Sequence, residues 1–474
     1  MELSTKPKSG KRVISIFILV MLNVSIMASL RNLPLVASYG FSALALFLIV
    51  GVFYLIPCAL VSAELATGWP KSGGIYIWVR EAFGDAWGFI AIWLQWIHNV
   101  AWYPAILSFV ATTIAYVFQP SLAENKIFIL TIVLTTFWGM TIINFFGLKP
   151  SAWFSTFCVI SGTILPGVFL IFLGLIWVST GRGSQLTFEL KEFVPKFTSI
   201  KDVVFLGGLF LAFSGLEVSS GYASEVKNPQ KNYPKGIIIA ALITFFLFML
   251  GSLAIAVVIP GDHINLVAGL MEALKVFLDS FKVGFILPIL GVLLVLGAVG
   301  EVNSWLIGPV KALYITSEHG NLPPYFQVTN QHNAPINLLL FQAIIVTIAS
   351  LVIILMPNLS SAYWVLTALS TQIYVLMYIF MFLSAIKLRY SHPSVPRAYK
   401  IPHPQKGMWV IATFGIISSI FCFFLLFIPP AQLVTGNIYI YELILLIGLF
   451  VMCGIPFILH RFRKPSWKKI DLDE

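Results

Sequence analysis

Two of the long hydrophobic segments in this sequence are interrupted near their middle by small and polar residues. Residues 13–36 are interrupted by NVSIMAS at 23–29, and residues 203–221 are interrupted by FSGLE at 213–217. A lipid bilayer has no water for a loosened backbone, so such a segment must be buried in protein or line a cavity. Two broken segments at corresponding places in two halves of a chain are typical of secondary transporters, which hold a small ligand at the breaks.

The composition is that of an integral membrane protein. Hydrophobic residues make up 59% of the chain and charged residues only 10%, whereas soluble domains carry about 25% charged residues. Windows of about 20 apolar residues predict an all-α protein with about twelve transmembrane helices. The predicted spans are 13–36, 41–66, 87–118, 127–147, 152–178, 203–221, 236–259, 283–307, 335–356, 362–386, 408–428 and 440–459.

The order of these spans predicts an inverted repeat within one polytopic membrane domain over residues 1–474. Repeat one covers about 13–178 and repeat two about 203–386, and each begins with a broken helix. Because each repeat has five spans, an odd number, the two enter the membrane from opposite sides. Two additional helices at about 408–460 lie outside the repeat.

The basic residues predict the orientation in the membrane. With the N-terminus inside, 21 Lys and Arg fall in inner segments and 7 in outer segments, while Arg31 lies within a span. This positive-inside bias places both termini in the cytoplasm. The net charge of +10 therefore indicates membrane topology rather than nucleic-acid binding.

Three connecting segments and the cysteines complete the topology. Residues 181–201 form a polar outer segment, 265–269 a short outer helix or cap, and the proline-rich segment 389–407 a stiff inner loop rather than a helix. The four cysteines lie in apolar spans without CxxC spacing, so small buried hydrophobic side chains are expected.

Three motifs resemble those of the amino acid–polyamine–organocation superfamily of transporters. They are ELATGWPKSGGIY at 64–76, FSGLE at 213–217 followed by SEVKNP at 224–229, and GAVGEVNSWLIGPVK at 297–311 followed by GNLPP at 320–324. Within the superfamily, VIPGDHINL at 258–266 and GEVNSW at 300–305 resemble the glutamate/γ-aminobutyrate antiporter branch. The resemblance covers nearly the whole chain and implies the LeuT-like five-plus-five fold with broken helices 1 and 6. It also implies amino-acid transport by alternating access, usually as exchange.

Two departures from the family pattern narrow these expectations. The antiporter branch has a C-terminal extension that plugs the inner side, whereas this chain stops at Glu474, so that plug is not expected. The related arginine/agmatine exchanger has a tryptophan in the sixth helix where this sequence has Leu211. The loss of a cation–π platform argues against a guanidinium substrate.

Substrate-binding residues are predicted mainly at the two breaks. Half-helix N-termini suit the carboxylate of an amino acid, and unwound carbonyls suit its ammonium group. The alternative is that Gly and Ser here only allow close helix packing. The predicted substrate-binding residues are Asn23, Ser25, Ile26, Met27, Ala28, Phe213, Ser214, Gly215, Leu216, Asn99 and Trp305.

A second set of candidates consists of ionisable residues, which are costly at membrane depth and often functional there. Glu217 is a candidate gate, and its alternative is a structural hydrogen bond to the loosened backbone. Glu301 shares a helical face with the candidate lid Trp305. The predicted gating or proton-linked residues are Glu217, Glu301, Arg31, His98 and Lys311.

The leading hypothesis is an amino-acid exchanger in the cytoplasmic membrane, with glutamate/γ-aminobutyrate-like or other neutral or acidic substrates. A proton-coupled permease and a membrane sensor without transport remain alternatives. Enzyme motifs such as GxSxG and HExxH are absent, so no enzyme is predicted, and neither are a channel, a cofactor or a metal site. The expected partners are the amino acid and the bilayer, with a homodimer left open.

Overall fold

The computed structural model describes residues 14–71, 73–146, 151–220, 226–403, 405–431, 433 and 437–469, without the side chains of 151–153 and 307. The described residues form helices and connecting loops, with one isolated bridge between Ile14 and Val226. The predicted inner basic residues at 6–12 and motif positions 72, 224 and 225 lie outside the described residues.

Helix α12 (Pro229–Val258) begins with Pro229, whose missing N–H would have no intrahelical partner in the first turn. Pro57 and Pro166 instead follow π-helical turns within continuous helical segments. The helices are α1 (Ile16–Met27), α2 (Leu33–Ala37), α3 (Ala43–Val50), α4 (Ile56–Gly68), α5 (Ile75–Phe83), α6 (Asp85–Phe118), α7 (Lys126–Asn144), α8 (Ser151–Val159), α9 (Leu165–Ser179), α10 (Leu190–Phe193), α11 (Leu206–Ala212), α12 (Pro229–Val258), α13 (Gly269–Ser280), α14 (Leu287–Glu318), α15 (Ile336–Ser350), α16 (Val352–Leu355), α17 (Leu359–Ser391), α18 (Lys406–Leu425) and α19 (Ile438–Arg461).

Eleven helical segments in the described part of the chain are long and apolar enough to cross a membrane. Two of them contain a π-helical turn, Gly51–Leu55 between α3 and α4 and Ile160–Ile164 between α8 and α9. The predicted span 203–221 is not among the eleven, because α11 has only seven residues before the backbone leaves the helix. The other eleven predicted spans each correspond to one of these segments.

The first break is shorter than the predicted interruption at 23–29. Helix α1 continues through Met27, and only Ala28 and Ser29 separate it from the 3₁₀ turn Leu30–Asn32 that leads into α2. The polar residue Asn23 stays helical because its side-chain amide donates to the Leu19 carbonyl at 2.8 Å. Asn23, Ser25, Ile26 and Met27 are therefore helical residues next to the break.

The second break lies within the predicted interval. Helix α11 ends at Ala212, and the chain then passes through Gly215 at φ +111°, a conformation that favours glycine. Two connecting segments match the predictions in part. Residues 265–268 form a turn capped by Asn265 that leads into α13, and the described part of 392–405 is not helical, although α17 extends through Ser391 and α18 begins at Lys406.

The longest helices build the interior around both breaks. Helix α6 packs along α14 and α17, while α1 packs against α8, α12 and α14. Buried polar side chains on α1, α6, α14 and α17 therefore meet in the middle of the bundle. The candidate site lies at this meeting point.

Candidate functional site

Gly215 lies in the second break against the first broken helix. Its N–H donates to the Tyr378 hydroxyl of α17 at 2.7 Å. A Cβ placed on Gly215 would lie 2.8 Å from Ile26 Cγ2 and 3.2 Å from Trp305 Cζ2. The absence of a side chain therefore allows the two broken helices to approach each other.

Glu217 is fixed by hydrogen bonds from two neighbouring helices. Its Oε1 accepts from Gln95 Nε2 of α6 at 2.9 Å and from the Tyr374 hydroxyl, and its Oε2 accepts from the Tyr378 hydroxyl. Because Tyr378 also accepts from the Gly215 N–H, Glu217 stabilises the loosened backbone through that tyrosine. The geometry favours the structural alternative for Glu217 in this conformation.

Trp305 connects the two breaks. Its indole Nε1 donates to the Ile26 carbonyl at 3.0 Å, and the far edge of its ring lies over Gly215. The His98 ring packs edge-on against Trp305, with ring centroids 5.2 Å apart. Trp305 therefore covers the point at which the two broken helices meet.

The candidates on α6 pack beside this lid. The His98 ring stacks on Tyr374 with centroids 3.9 Å apart, and its Nδ1 lies 3.1 Å from Ser370 Oγ. The Asn99 side-chain amide donates back to the Gln95 carbonyl at 3.1 Å. His98 Nε2 and Asn99 Oδ1 have no hydrogen-bond partner among the described residues.

Arg31 follows the first break and is only 1% exposed. Its Nη1 donates to the Tyr363 hydroxyl at 2.9 Å, and its guanidinium carbon lies 5.5 Å from the Trp102 ring centre and 5.4 Å from that of Tyr363. Glu301, also buried, interacts electrostatically with Arg31 and with the Ser29 hydroxyl. The first break therefore carries a buried cation with a carboxylate nearby.

Several predicted residues make contacts within the protein. Ser25 Oγ lies 3.1 Å from Ser304 Oγ, which bonds to Ser155, and Ser214 Oγ lies 2.8 Å from the Tyr54 hydroxyl. The Phe213 ring stacks with Phe245 and Phe248. These three side chains pack against neighbouring helices, so any contact with a ligand would come from their backbone.

The remaining candidates differ in position. Met27, Ala28 and Leu216 are buried at the breaks, and the Met27 carbonyl accepts from the Ser29 N–H at 3.0 Å. Lys311 is half-buried on α14, six residues after Trp305.

Three tyrosines of α17 that were not among the predicted site residues lie at the breaks. Tyr363, Tyr374 and Tyr378 contact Arg31, Glu217 and the Gly215 backbone respectively. Their spacing of eleven and four residues places them on one face of a helix. That face was visible in the sequence, although its partners were not.

A second buried ionic cluster explains the first family motif. Glu64 Oε2 accepts from Arg389 Nη2 at 2.5 Å and from the Ile401 N–H at 2.9 Å, and Arg397 Nε lies 3.6 Å from Glu64 Oε1. The start of the motif at 64–76 thus holds the end of α17 and the loop after it.

Comparisons with known proteins show which family this sequence resembles. A family model described as amino acid permease matches residues 13–450. An uncharacterized transporter of Legionella pneumophila is 42% identical over 95% of this chain and 97% of its own length. A glutamate/gamma-aminobutyrate antiporter of Lactococcus lactis is 29% identical over 95% of this chain and 91% of its own. A probable agmatine/putrescine antiporter of the same species is 25% identical over 83% of each chain.

Proposed function

The chain belongs to the amino acid permease family, and from this premise we propose that it exchanges amino acids across the membrane by alternating access. Membership makes it a multi-pass membrane transporter of the amino acid–polyamine–organocation superfamily, with the all-helical LeuT-like fold, and not an enzyme. Family membership alone does not establish exchange as the mode of transport, or amino acids rather than polyamines as the substrates.

The observation that carries the proposal is the contact of Trp305 with both breaks. The indole occupies the Ile26 carbonyl and covers Gly215, so one side-chain rotation would uncover both at once. An uncovered carbonyl suits a substrate ammonium group, and a glycine backbone allows close approach of the ligand. We therefore assign Trp305 as the lid and Ile26 and Gly215 as the floor of the amino-acid site.

The substrate in this proposal is a neutral or acidic amino acid. Glutamate and γ-aminobutyrate are the first pair to test, because two of the relatives, both from Lactococcus lactis, are named for their antiport. The absence of an aromatic platform at Leu211 disfavours a guanidinium substrate.

Proton-coupled uptake is the second candidate, and the position of Glu301 favours it. This carboxyl is buried one helical turn before Trp305 and interacts with Arg31 and Ser29 of the first break. A carboxyl group next to a lid is suited to carrying a proton with the substrate. Binding without transport, as in a sensor, is a third outcome.

Counterflow into proteoliposomes tests the proposal. Vesicles with purified protein are loaded with unlabelled amino acid, and uptake of labelled glutamate or γ-aminobutyrate is followed with and without a protonophore. Exchange predicts uptake that requires internal amino acid and survives the protonophore. Uptake that requires an imposed pH gradient and no internal substrate would favour the permease, and binding without uptake would favour the sensor.

We further propose that the protein lies in the cytoplasmic membrane with both termini inside. The excess of Lys and Arg in the inner segments supports this orientation. A Ser184→Cys variant should react with an impermeant thiol reagent in intact cells, because Ser184 is exposed in the predicted outer segment. Three of the four native cysteines are buried and the fourth is half-buried, so the parent protein is the control. Reaction only after permeabilisation would reverse the topology.

Two further predictions concern assembly and the inner end of α14. A homodimer would appear as a doubled mass in detergent by light scattering.

We assign Lys311 to gating or to snorkelling at the inner surface. A Lys311→Arg variant should therefore keep more uptake activity than a Lys311→Leu variant.

A further inference from the structure

The Arg31 guanidinium leaves one complete edge without a partner. Nη1 donates to Tyr363, whereas Nε and Nη2 are buried and have no hydrogen-bond partner among the described residues. Nε–H and Nη2–H form the side edge of the planar guanidinium, with two parallel donors. This fork matches the two oxygens of a carboxylate.

The nearby carboxyl groups do not fill this edge. Within the described residues, no carboxylate lies within 4 Å of Arg31. Glu217 is committed to Gln95, Tyr374 and Tyr378, and Glu301 acts on Arg31 only at longer range. A charged side chain at membrane depth is costly unless it is paired, so the unbonded edge of Arg31 calls for an explanation.

The surroundings of Arg31 hold the guanidinium in a fixed orientation. The rings of Trp102 and Tyr363 pack against the guanidinium, and the Tyr363 hydroxyl accepts a hydrogen bond from Nη1. The Trp102 ring lies 5.7 Å from the ring of Trp305, so the aromatic contact continues from Arg31 to the lid. Arg31 and Trp305 therefore both pack against Trp102, which makes Arg31 a neighbour of the proposed amino-acid site.

We propose that the Nε–Nη2 edge of Arg31 binds the side-chain carboxylate of the transported amino acid, making Arg31 a determinant of substrate charge. The proposal rests on the proposed function, in which the α-ammonium lies at the Ile26 carbonyl and the ligand backbone lies against Gly215. It selects amino acids with a second carboxylate over their amides. It also disfavours diamines, which have no carboxylate and would face the Arg31 charge.

The amide comparison is the sharpest test, because glutamate and glutamine have nearly the same shape. A site that forms hydrogen bonds to one substrate group binds an isosteric ligand more weakly when that ligand cannot form the same hydrogen bonds. Thermal-shift titrations of the purified protein with glutamate, glutamine and putrescine give affinities without requiring transport. The intact protein should bind glutamate at least tenfold more tightly than glutamine, and putrescine should give no shift.

Arg31→Gln should remove this preference by weakening glutamate binding while leaving glutamine binding within about twofold. Arg31→Lys keeps the charge but loses the fork, so it should retain only part of the preference. Arg182→Gln is the matched control, because Arg182 also packs on aromatic rings, those of Trp177 and Phe281, but lies away from the breaks. The control should keep the full preference.

The outcomes separate this inference from the proposed function. Equal affinities for glutamate and glutamine in the intact protein, or a preference that survives in Arg31→Gln, would overturn the role of Arg31 while leaving amino-acid binding intact. No shift with any amino acid would overturn both. If Arg31→Gln does not fold, Arg31→Lys decides, since full retention of the preference there would exclude the fork as its origin.

Discussion

The two breaks differ in how completely their polar groups are bonded. At the second break, the Glu217 carboxylate accepts from three donors, and the Gly215 N–H and the Ser214 hydroxyl each have a partner. Near the first break, Arg31 has two nitrogens and Asn23 has one oxygen without a partner among the described residues. Beyond Glu217, the Ser220 Oγ also lacks a partner among the described residues, so the contrast is between the bonded groups of residues 214–217 and the unbonded groups of Asn23 and Arg31.

This difference suggests a division of work between the breaks. Buried polar groups are normally bonded, and the exceptions call for an explanation. We interpret the second break as a fixed wall and the first break as the side that recognises the polar ends of the substrate. Trp305 joins the two, because it bonds to Ile26 and covers Gly215.

The largest effect is expected from filling the contact between the breaks. Gly215→Val places a side chain where Ile26 and Trp305 already lie, at a φ that strains any other residue. The backbone strain costs about 1–3 kcal/mol, and transport per folded protein should fall to background. Uptake normalised to folded protein measures this. Uptake at the level of the unsubstituted protein would show that the contact between the breaks is not part of the transport path.

The next largest effect is a difference in stability between variants at the second break, the proposed wall, and at the first break, the proposed recognition side. Glu217→Gln leaves donors around it unsatisfied, and each buried unsatisfied group costs about 1–3 kcal/mol. The melting temperature of this variant should therefore fall clearly. Arg31→Gln removes an incompletely paired charge and should lower the melting temperature less. A larger fall in melting temperature for Arg31→Gln than for Glu217→Gln would contradict this difference between the two breaks.

Substitution of the proposed lid, Trp305, should lower substrate affinity more than it lowers the melting temperature of the protein. Trp305→Ala removes the aromatic cover and the bond to Ile26, so the apparent KM should rise about tenfold, equivalent to about 1.4 kcal/mol. Trp305→Phe keeps a ring over Gly215 and should retain part of the affinity. Concentration-dependent uptake gives both values. Unchanged KM in Trp305→Ala together with a lower melting temperature would assign Trp305 to packing.

Glu301 provides a test of charge at the first break. Glu301→Gln keeps the shape of the side chain and removes the group that titrates beside Arg31 and Ser29. If Glu301 carries a proton or reads substrate charge, the pH dependence of uptake between about pH 4.5 and 8 should flatten in this variant. A profile identical to that of the unsubstituted protein would eliminate the charge role.

The smallest effect is expected at Ser25. Its hydroxyl bonds to Ser304 within the bundle, so Ser25→Ala should cost less than about 1.5 kcal/mol of stability and leave KM unchanged. Ser108→Ala is a matched control, because Ser108 is a buried serine that bonds to its own helix backbone. A selective rise in KM for Ser25→Ala would place its side chain in the site.

The features visible in the sequence were those that depend on local pattern. Apolar length predicted the spans, and the glycine in FSGLE predicted the second break. The length of the first break was predicted wrongly because Asn23 bonds to the Leu19 carbonyl and keeps α1 helical, which composition alone does not reveal. The partners of Glu217 come from α6 and α17 and that of Arg31 from α17, all more than 100 residues away in the chain, so only the packed bundle identifies them.

The most direct test of the account is an experimental structure with a bound amino acid at the two breaks. The account predicts the substrate ammonium at the Ile26 carbonyl and the ligand against Gly215, with the bond from Trp305 Nε1 to Ile26 broken. The bonds among Glu217, Tyr374 and Tyr378 should remain as they are here. A ligand bound elsewhere with the Trp305–Ile26 bond intact would contradict the assignment of the breaks as the transport site.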